Sequence, residues 1–308
     1  MKLRVGTRRS PLALAQTGQT MRALAVHDPS LEYELVEVVT SGDRIQDRPL
    51  RDAGGKGLFL KELDEALLAG RIHCAVHSLK DIPSELAPGT SIAAVLERAD
   101  PRDVLVTADG RGLDQLPADV IVGTTSLRRA CQLLARHPKA RIRMLRGNVE
   151  TRVRKLLAGD CAATFLAAAG LARLGLSLSP AHGSVLDPSV FVPAPGQGAI
   201  AITIREDDVE TARALAALDH AHSRAAIEAE RAFARVFGGG CHLPLAAFAE
   251  VAGERINVTG MLSSPDGQRV LREQGSGRIE DAAAVGEALA RGFYGRGAAD
   301  IIAAAEPV

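Results

Sequence analysis

At 308 residues the chain exceeds what one hydrophobic core usually serves, since single cores stop growing near roughly 250–300 residues, so two or three domains are expected. Its 46% hydrophobic and 24% charged residues exclude a disordered, collagen-like or disulfide-scaffold chain. The 37 basic residues balance 37 acidic ones, so no whole-molecule field drives nucleic-acid or membrane binding and any charge-based function is local.

Apolar periodicity switches repeatedly between short runs and helical spacing, which is the pattern of an α/β protein. Leu3 to Gly6 reads as a strand, and Ser10-Pro11 opens a helix to about Val26, with serine as N-cap and proline at the first helical position. Arg8-Arg9 is not followed by an export signal, because the apolar stretch ends at Gln16. The longest apolar run, around Ala162 to Ala172, is about half of the roughly 18 residues that span a bilayer. A cytoplasmic protein is expected. Tyr33 to Thr40 alternates as a strand, and the polar, glycine-bearing Ser41 to Gly57 reads as a long mobile loop. Leu58 to Ala69 reads as an amphipathic helix and Cys74 to His77 as a short buried strand, stopped by Asp81-Ile-Pro because the residue before proline is pushed to extended geometry. Alternation continues from Val104 to about Leu176. After the break at Val192-Pro-Ala-Pro-Gly-Gln-Gly come a strand, Ala199 to Ile204, and two helices up to Phe237. In the tail, strands between Leu245 and Gly277 join at the turn Ser264-Pro-Asp-Gly, and a helix from about Asp281 closes a small α+β unit.

Val5-Gly-Thr-Arg-Arg-Ser and Val122-Gly-Thr-Thr-Ser, 117 residues apart, each end a predicted strand and open a predicted helix. Two domains of one design are expected, each with unpaired helix-start amides able to hold an anion, and with arginines at both turns: Arg8 and Arg9, then Arg128 and Arg129. Between Arg128 and Lys155 ten basic residues face one acid, Glu150. A charge run by itself is most often a solvated face, but arginine outnumbers lysine eight to two here, and arginine is the residue of bidentate carboxylate and phosphate recognition. A polyanionic ligand is expected. Aromatics at 3% and the absence of tryptophan argue against nucleic acid, and Gly54-Gly-Lys-Gly lacks the spacing of a phosphate-binding loop.

Asp81 ends a buried strand, where α/β folds place reactive groups; in an arginine-lined cleft it would be ionised and able to pair with a cationic intermediate or relay a proton, though a surface loop acid reads the same way. His73 and His77, four apart on a strand, are too distant to share a metal, and no metal is expected. Of the four cysteines, none forms a CxxC pair. Cys241 differs from Cys74, Cys131 and Cys161 in lying on a glycine-rich loop, Gly238-Gly-Gly-Cys-His, where an accessible thiol beside His242 can act as nucleophile or be an incidental loop cysteine.

Seven motifs in order, Gly6-Thr-Arg-Arg-Ser-Pro-Leu-Ala-Leu, Gly54-Gly-Lys-Gly-Leu-Phe, Ala75-Val-His-Ser-Leu-Lys-Asp-Ile-Pro, Gly123-Thr-Thr-Ser-Leu-Arg-Arg, Leu145-Arg-Gly-Asn-Val-Glu-Thr-Arg, Pro195-Gly-Gln-Gly-Ala and Gly239-Gly-Cys-His-Leu-Pro, resemble the porphobilinogen deaminase (hydroxymethylbilane synthase) family. The stretch after about Ala249 matches only loosely. The resemblance implies two periplasmic-binding-protein-like α/β domains around a cleft plus a small α+β C-terminal domain: residues 1–98 with 197–216, residues 99–196, and residues 217–308. It implies a dipyrromethane cofactor attached to Cys241 through a thioether, Asp81 as the catalytic acid, and Arg8, Arg128, Arg129, Arg146, Arg152 and Arg173 as ligands of the acetate and propionate groups. Ser10, Lys80, Thr124, Thr125 and Ser126 would add hydrogen bonds, and the loop with Asp43 and Lys56 would act as a lid. Four porphobilinogen units would be joined head to tail with loss of ammonia, and hydroxymethylbilane released by hydrolysis, on a protein expected to be a monomer. Two departures stand out: His242 takes the place of a common glutamine, and Ala162-Ala-Thr-Phe-Leu replaces a segment that often carries aspartate. The competing reading from another class is a two-lobed solute-binding protein without catalysis, and a third is an RNA-binding protein using the basic strip.

Overall fold

The computed structural model describes residues 2–44, 60–239 and 243–305. They form two compact units, Met1–Ala99 with Gly198–Ala225, and Asp100–Gln197 with Ala226–Val308. The first begins with β1 (Lys2–Arg8), α1 (Pro11–His27), β2 (Glu32–Val38), α2 (Ser41–Arg44), α3 (Lys61–Leu68), β3 (Cys74–Ser78) and β4 (Thr90–Val95). The second supplies β5 (Asp103–Thr107), β6 (Ile121–Gly123), α4 (Leu127–Arg136), β7 (Arg141–Arg143), α5 (Val149–Leu157), β8 (Ala163–Ala167), α6 (Ala168–Leu174) and β9 (His182–Val185). The chain then returns to the first unit for β10 (Ile200–Arg205) and α7 (Val209–Leu215), and α8 (Ala221–Val236) carries it onward. Last come β11 (Leu245–Ala252), β12 (Arg255–Ser263), β13 (Val270–Arg278), α9 (Ala282–Tyr294) and α10 (Ala298–Ala305).

The first sheet has the order β2-β1-β3-β10-β4 and the second β7-β6-β8-β5-β9, with a separate antiparallel sheet β11-β12-β13. In both five-stranded sheets the first three strands are parallel and the fourth, β10 or β5, runs antiparallel to both of its neighbours. The two α/β sheets therefore share one design, and β1 and β6, which both carry the repeated Val-Gly near their carboxyl ends, occupy the same place in it. Close packing explains the repeated glycine. A Cβ on Gly6 would stand 2.4 Å from Ile72 Cδ1, and one on Gly123 would stand 2.8 Å from both Cys161 Sγ and Leu145 Cδ2.

Apolar side chains cover both faces of each sheet, as the continuous runs of β3, β5 and β8 require. In the first unit Leu3, Val5, Ile200 and Ile202 pack against Met21 and Leu24 of α1, while Leu63 and Leu67 of α3 meet Ile72 and Ala75. In the second, Leu105, Val122 and Leu133 surround the stacked rings of Phe165 and Phe191, 4.9 Å apart. Phe233 of α8, Phe237 just after it and Phe293 of α9 cover the three-stranded sheet, and Ala246, Phe248 and Met261 join that sheet to Cys131 of α4.

The polar stretch from Ser41 opens with a helical turn, α2, and its residues 45–57 lie outside the described residues. The backbone N–H and Oγ of Ser41 both donate to Glu62 Oε1 of α3, at 2.8 and 2.5 Å, a contact 21 residues away that local composition does not encode. Lys56 and Cys241 lie outside the described residues, as does the side chain of Asp43. Among the described residues no helix is long and apolar enough to cross a membrane.

Candidate active site

In the first unit β1 and β3 are parallel neighbours, so their carboxyl ends lie side by side, where open α/β sheets bind ligands. Arg8 ends β1 and is half-buried. Ser10 caps α1, its Oγ accepting from Ala13 N at 3.3 Å. After β3 the chain makes one 3-10 turn, Leu79–Asp81. Leu79 is buried and its N–H donates to Ala199 O at 3.0 Å, which anchors the turn and leaves Lys80 and Asp81 half-buried. Gln16 of α1 brackets Ser78 from the other side, donating to Oγ at 2.8 Å and accepting from it at 3.0 Å. The two histidines at β3 each have a hydrogen-bond partner within the unit: His73 Nδ1 accepts from Arg4 N at 2.8 Å, and His77 Nε2 lies 2.9 Å from Thr203 Oγ1.

In the second unit the carboxyl end of β6 carries Thr124, Thr125 and Ser126. Thr124 Oγ1 accepts from Ser126 N at 3.1 Å, and Ser126 Oγ caps α4 by accepting from Arg129 N at 3.4 Å. The hydroxyl oxygens thus shape the helix start, while each O–H remains a donor. Arg128 and Arg129 occupy the first turn of α4, the positive end of the helix dipole, and are 6% and 7% exposed. Two cations there need a counter-charge, and Asp103, fully buried at the start of β5, supplies it. Arg128 Nη1 and Nη2 donate to its two oxygens at 2.7 and 3.1 Å, and Arg129 Nε donates to Oδ1 at 2.9 Å, with Arg129 Nη2 in ion-pair contact with the same oxygen at 2.7 Å. Burial by itself pushes the Asp103 carboxyl up, but the Arg128 and Arg129 charges together outweigh it and hold it well below the usual carboxylate range. Burial lowers Arg129, with Asp103 opposing that shift and Arg128 adding to it. Removing one member of such a buried group costs about 3–5 kcal/mol, because a charge is left uncompensated.

Arg146 follows β7, and Arg152 on α5 donates through Nε to Gly147 O at 2.9 Å, while Lys155 donates to Arg146 O at 3.1 Å. Both arginines are half-buried. Arg173 lies in the last turn of α6, where burial lowers it. The basic run is therefore not one face. Arg136 and Arg141 pair on the surface with Asp114 and Asp119 at 3.5 and 4.0 Å, and Arg143 donates to Asp160 O. Sequence reasoning missed Asp103; the available signal was an acid directly ahead of the buried run Val104-Leu105-Val106. Among the described residues no three His, Cys, Asp or Glu gather as metal ligands.

Residues 3–213 match the family model described as porphobilinogen deaminase, dipyromethane cofactor binding domain, and residues 225–295 match the porphobilinogen deaminase C-terminal domain. The chain belongs to the porphobilinogen deaminase family. Family members include the porphobilinogen deaminase of Shouchella clausii, 48% identical over 91% of this chain and 90% of its own length. That of Brevibacillus brevis is 45% identical over 98% and 97%. Among solved structures, the VFT2 domain of Bordetella pertussis BvgS is similar over 70% of this chain and 86% of its own at 15% identity and a TM-score of 0.44. The BenM effector-binding domain with benzoate matches 70% and 88% at 17% identity and 0.43. The cofactor-domain match of the porphobilinogen deaminase family spans both Asp81 and the Asp103 group, and the C-terminal match spans Cys241.

Proposed function

We propose that this chain is a porphobilinogen deaminase, a transferase that joins porphobilinogen units head to tail with loss of ammonia and releases hydroxymethylbilane by hydrolysis. The observation that carries the reading is the charge of the Asp103 group: two guanidiniums against one carboxylate leave one buried positive charge at the start of a helix, which fits a carboxylate-bearing ligand. The dipyrromethane of this family fits that surplus through its ring carboxylates, and when bound to Cys241 it supplies the ring carbon to which substrate is joined. Three of the four cysteines are unsuited to that attachment. Cys74, Cys131 and Cys161 are buried, which pushes Cys74 up to about 12 and Cys131 up to about 11 and raises Cys161.

Each porphobilinogen carries an acetate and a propionate. Arg8, Arg128, Arg129, Arg146, Arg152 and Arg173 bind these groups, with O–H or N–H bonds from Ser10, Lys80, Thr124, Thr125 and Ser126; charge-assisted bonds contribute roughly 1.5–3 kcal/mol each. Departure of ammonia leaves an electron-poor carbon conjugated to the pyrrole, and the Asp81 carboxylate stabilises that positive charge and the adjoining pyrrole N–H. The anchored turn at Leu79 supports this role, because a fixed carboxylate needs no reorganisation as charge develops. Asp43 and Lys56 belong to a lid, the three domains divide as 1–98 with 197–216, 99–196 and 217–308, and the enzyme is a cytoplasmic monomer that binds no nucleic acid.

Intact mass tests the attachment. The purified chain is expected to exceed its sequence mass by two linked pyrrole units and Cys241→Ser to lose that excess, whereas an active chain of unmodified mass would refute the reading. Asp81→Asn is expected to keep the fold and the adduct while turnover falls by about 10²- to 10⁴-fold, measured as hydroxymethylbilane released.

A further inference from the structure

Asp103 belongs to none of the motifs that mark the site, yet it touches two of the arginines assigned to it. It opens β5, 25 residues before Arg128 and 26 before Arg129. The rest of each guanidinium is also fixed: Arg128 Nη1 donates to Val192 O at 2.8 Å, Arg128 Nη2 lies 3.5 Å from Gln197 Oε1, and Arg129 Nη1 donates to Phe165 O at 2.8 Å. One turn on, Gln132 grips the same peptide, donating to Val192 O at 3.0 Å and accepting from Val192 N at 2.7 Å. Among the described residues the other hydrogen-bond partners of these two guanidiniums are backbone carbonyls and an amide, and Asp103 is the partner that brings negative charge. Those neutral acceptors satisfy N–H groups, but they cannot reduce the repulsion between two guanidiniums at a helix start.

We propose that Asp103 is the positioning residue of the ring-carboxylate site. It holds Arg128 by two bonds, one to each oxygen, and Arg129 by an Nε bond and an ion-pair contact at Oδ1, and it reduces their joint charge from two to one, so that the site is matched to a single ligand carboxylate. This rests on the reading of the chain as a porphobilinogen deaminase. Without Asp103 the two guanidiniums repel each other and turn away from the shared geometry. With glutamate in its place the charge remains, but one added methylene displaces the carboxylate and both guanidiniums with it.

The test compares wild-type protein, Asp103→Asn and Asp103→Glu. Three quantities are measured: thermal melting, the rate at which adduct-free protein mixed with porphobilinogen gains the two-pyrrole mass, and KM for porphobilinogen in the loaded fraction. Mass gain is expected to slow by about 100-fold in Asp103→Asn, the scale set by misplacing binding groups by an ångström, and by a smaller factor in Asp103→Glu. KM rises in both. A purely structural role would lower the folded fraction and leave KM and the loading rate of the folded molecules unchanged. Folded Asp103→Glu with wild-type loading and KM overturns the proposal, and this variant decides alone if Asp103→Asn does not fold. A wild-type chain that never gains the adduct overturns the parent reading, and this one with it.

Discussion

Burial between β3 and β10 pushes the His77 imidazole down to about 4 from an ordinary 6.5, and the Arg8 charge adds to the effect. The folded protein therefore holds His77 neutral while the unfolded chain takes up a proton below about 6.5. As pH falls from 6.5 to 4 the unfolded state gains this proton and the folded state does not, so stability declines across that window, by about 3 kcal/mol at most. Above 6.5 the contribution is flat. Urea unfolding at several pH values should show this decline in the wild type and a shallower one in His77→Gln, with the carboxylates common to both. The same scale shows what was readable. Asp81 stood out as a candidate because its neighbours Lys80 and Ile82-Pro83 form a local pattern around it. Asp103 could not, because its meaning comes from partners 25 and 26 residues away and an aspartate ahead of an apolar run has many uses.

Helix α4 is the element on which the site depends most, and three signals converge on it. Ser126 caps its start, its apolar side is buried by Ala130, Cys131 and Leu133, and the turn between β12 and β13 packs on its outer backbone. That turn was legible as Ser264-Pro-Asp-Gly. Gly267 N donates to Ser264 O at 3.0 Å and Ser264 Oγ donates to Asp266 Oδ1 at 2.5 Å, as turn chemistry dictates. Its docking was not legible. Gly267 has φ +72°, and a Cβ there would stand 2.5 Å from Cys131 O and 2.6 Å from Ala135 N. Gly267→Ala should therefore destabilise the second unit by about 2–3 kcal/mol, from left-handed strain plus a clash with a helix backbone that has little room to yield. A lower urea midpoint at unchanged slope would bear this out; a midpoint equal to the wild type's would refute it.

Across the molecule, equal numbers of acids and bases conceal a local excess, and the position of that excess follows from topology. Strand-to-helix turns after β1 and β6 recur at the same place in two sheets of the same order. Their caps, glycines and arginines were visible in sequence because each depends on a few adjacent residues, as do the helix starts at Ser10 and Ser126 and the proline stop after Asp81. The short helix at Ser41, the antiparallel insertion of β10 between β3 and β4, and the division of ten basic residues into buried, half-buried and surface groups were decided only by the tertiary structure. Local sequence carries the energetics of backbone turns and periodic burial. Which acid neutralises which arginine is settled by side chains that meet only after the sheet has formed.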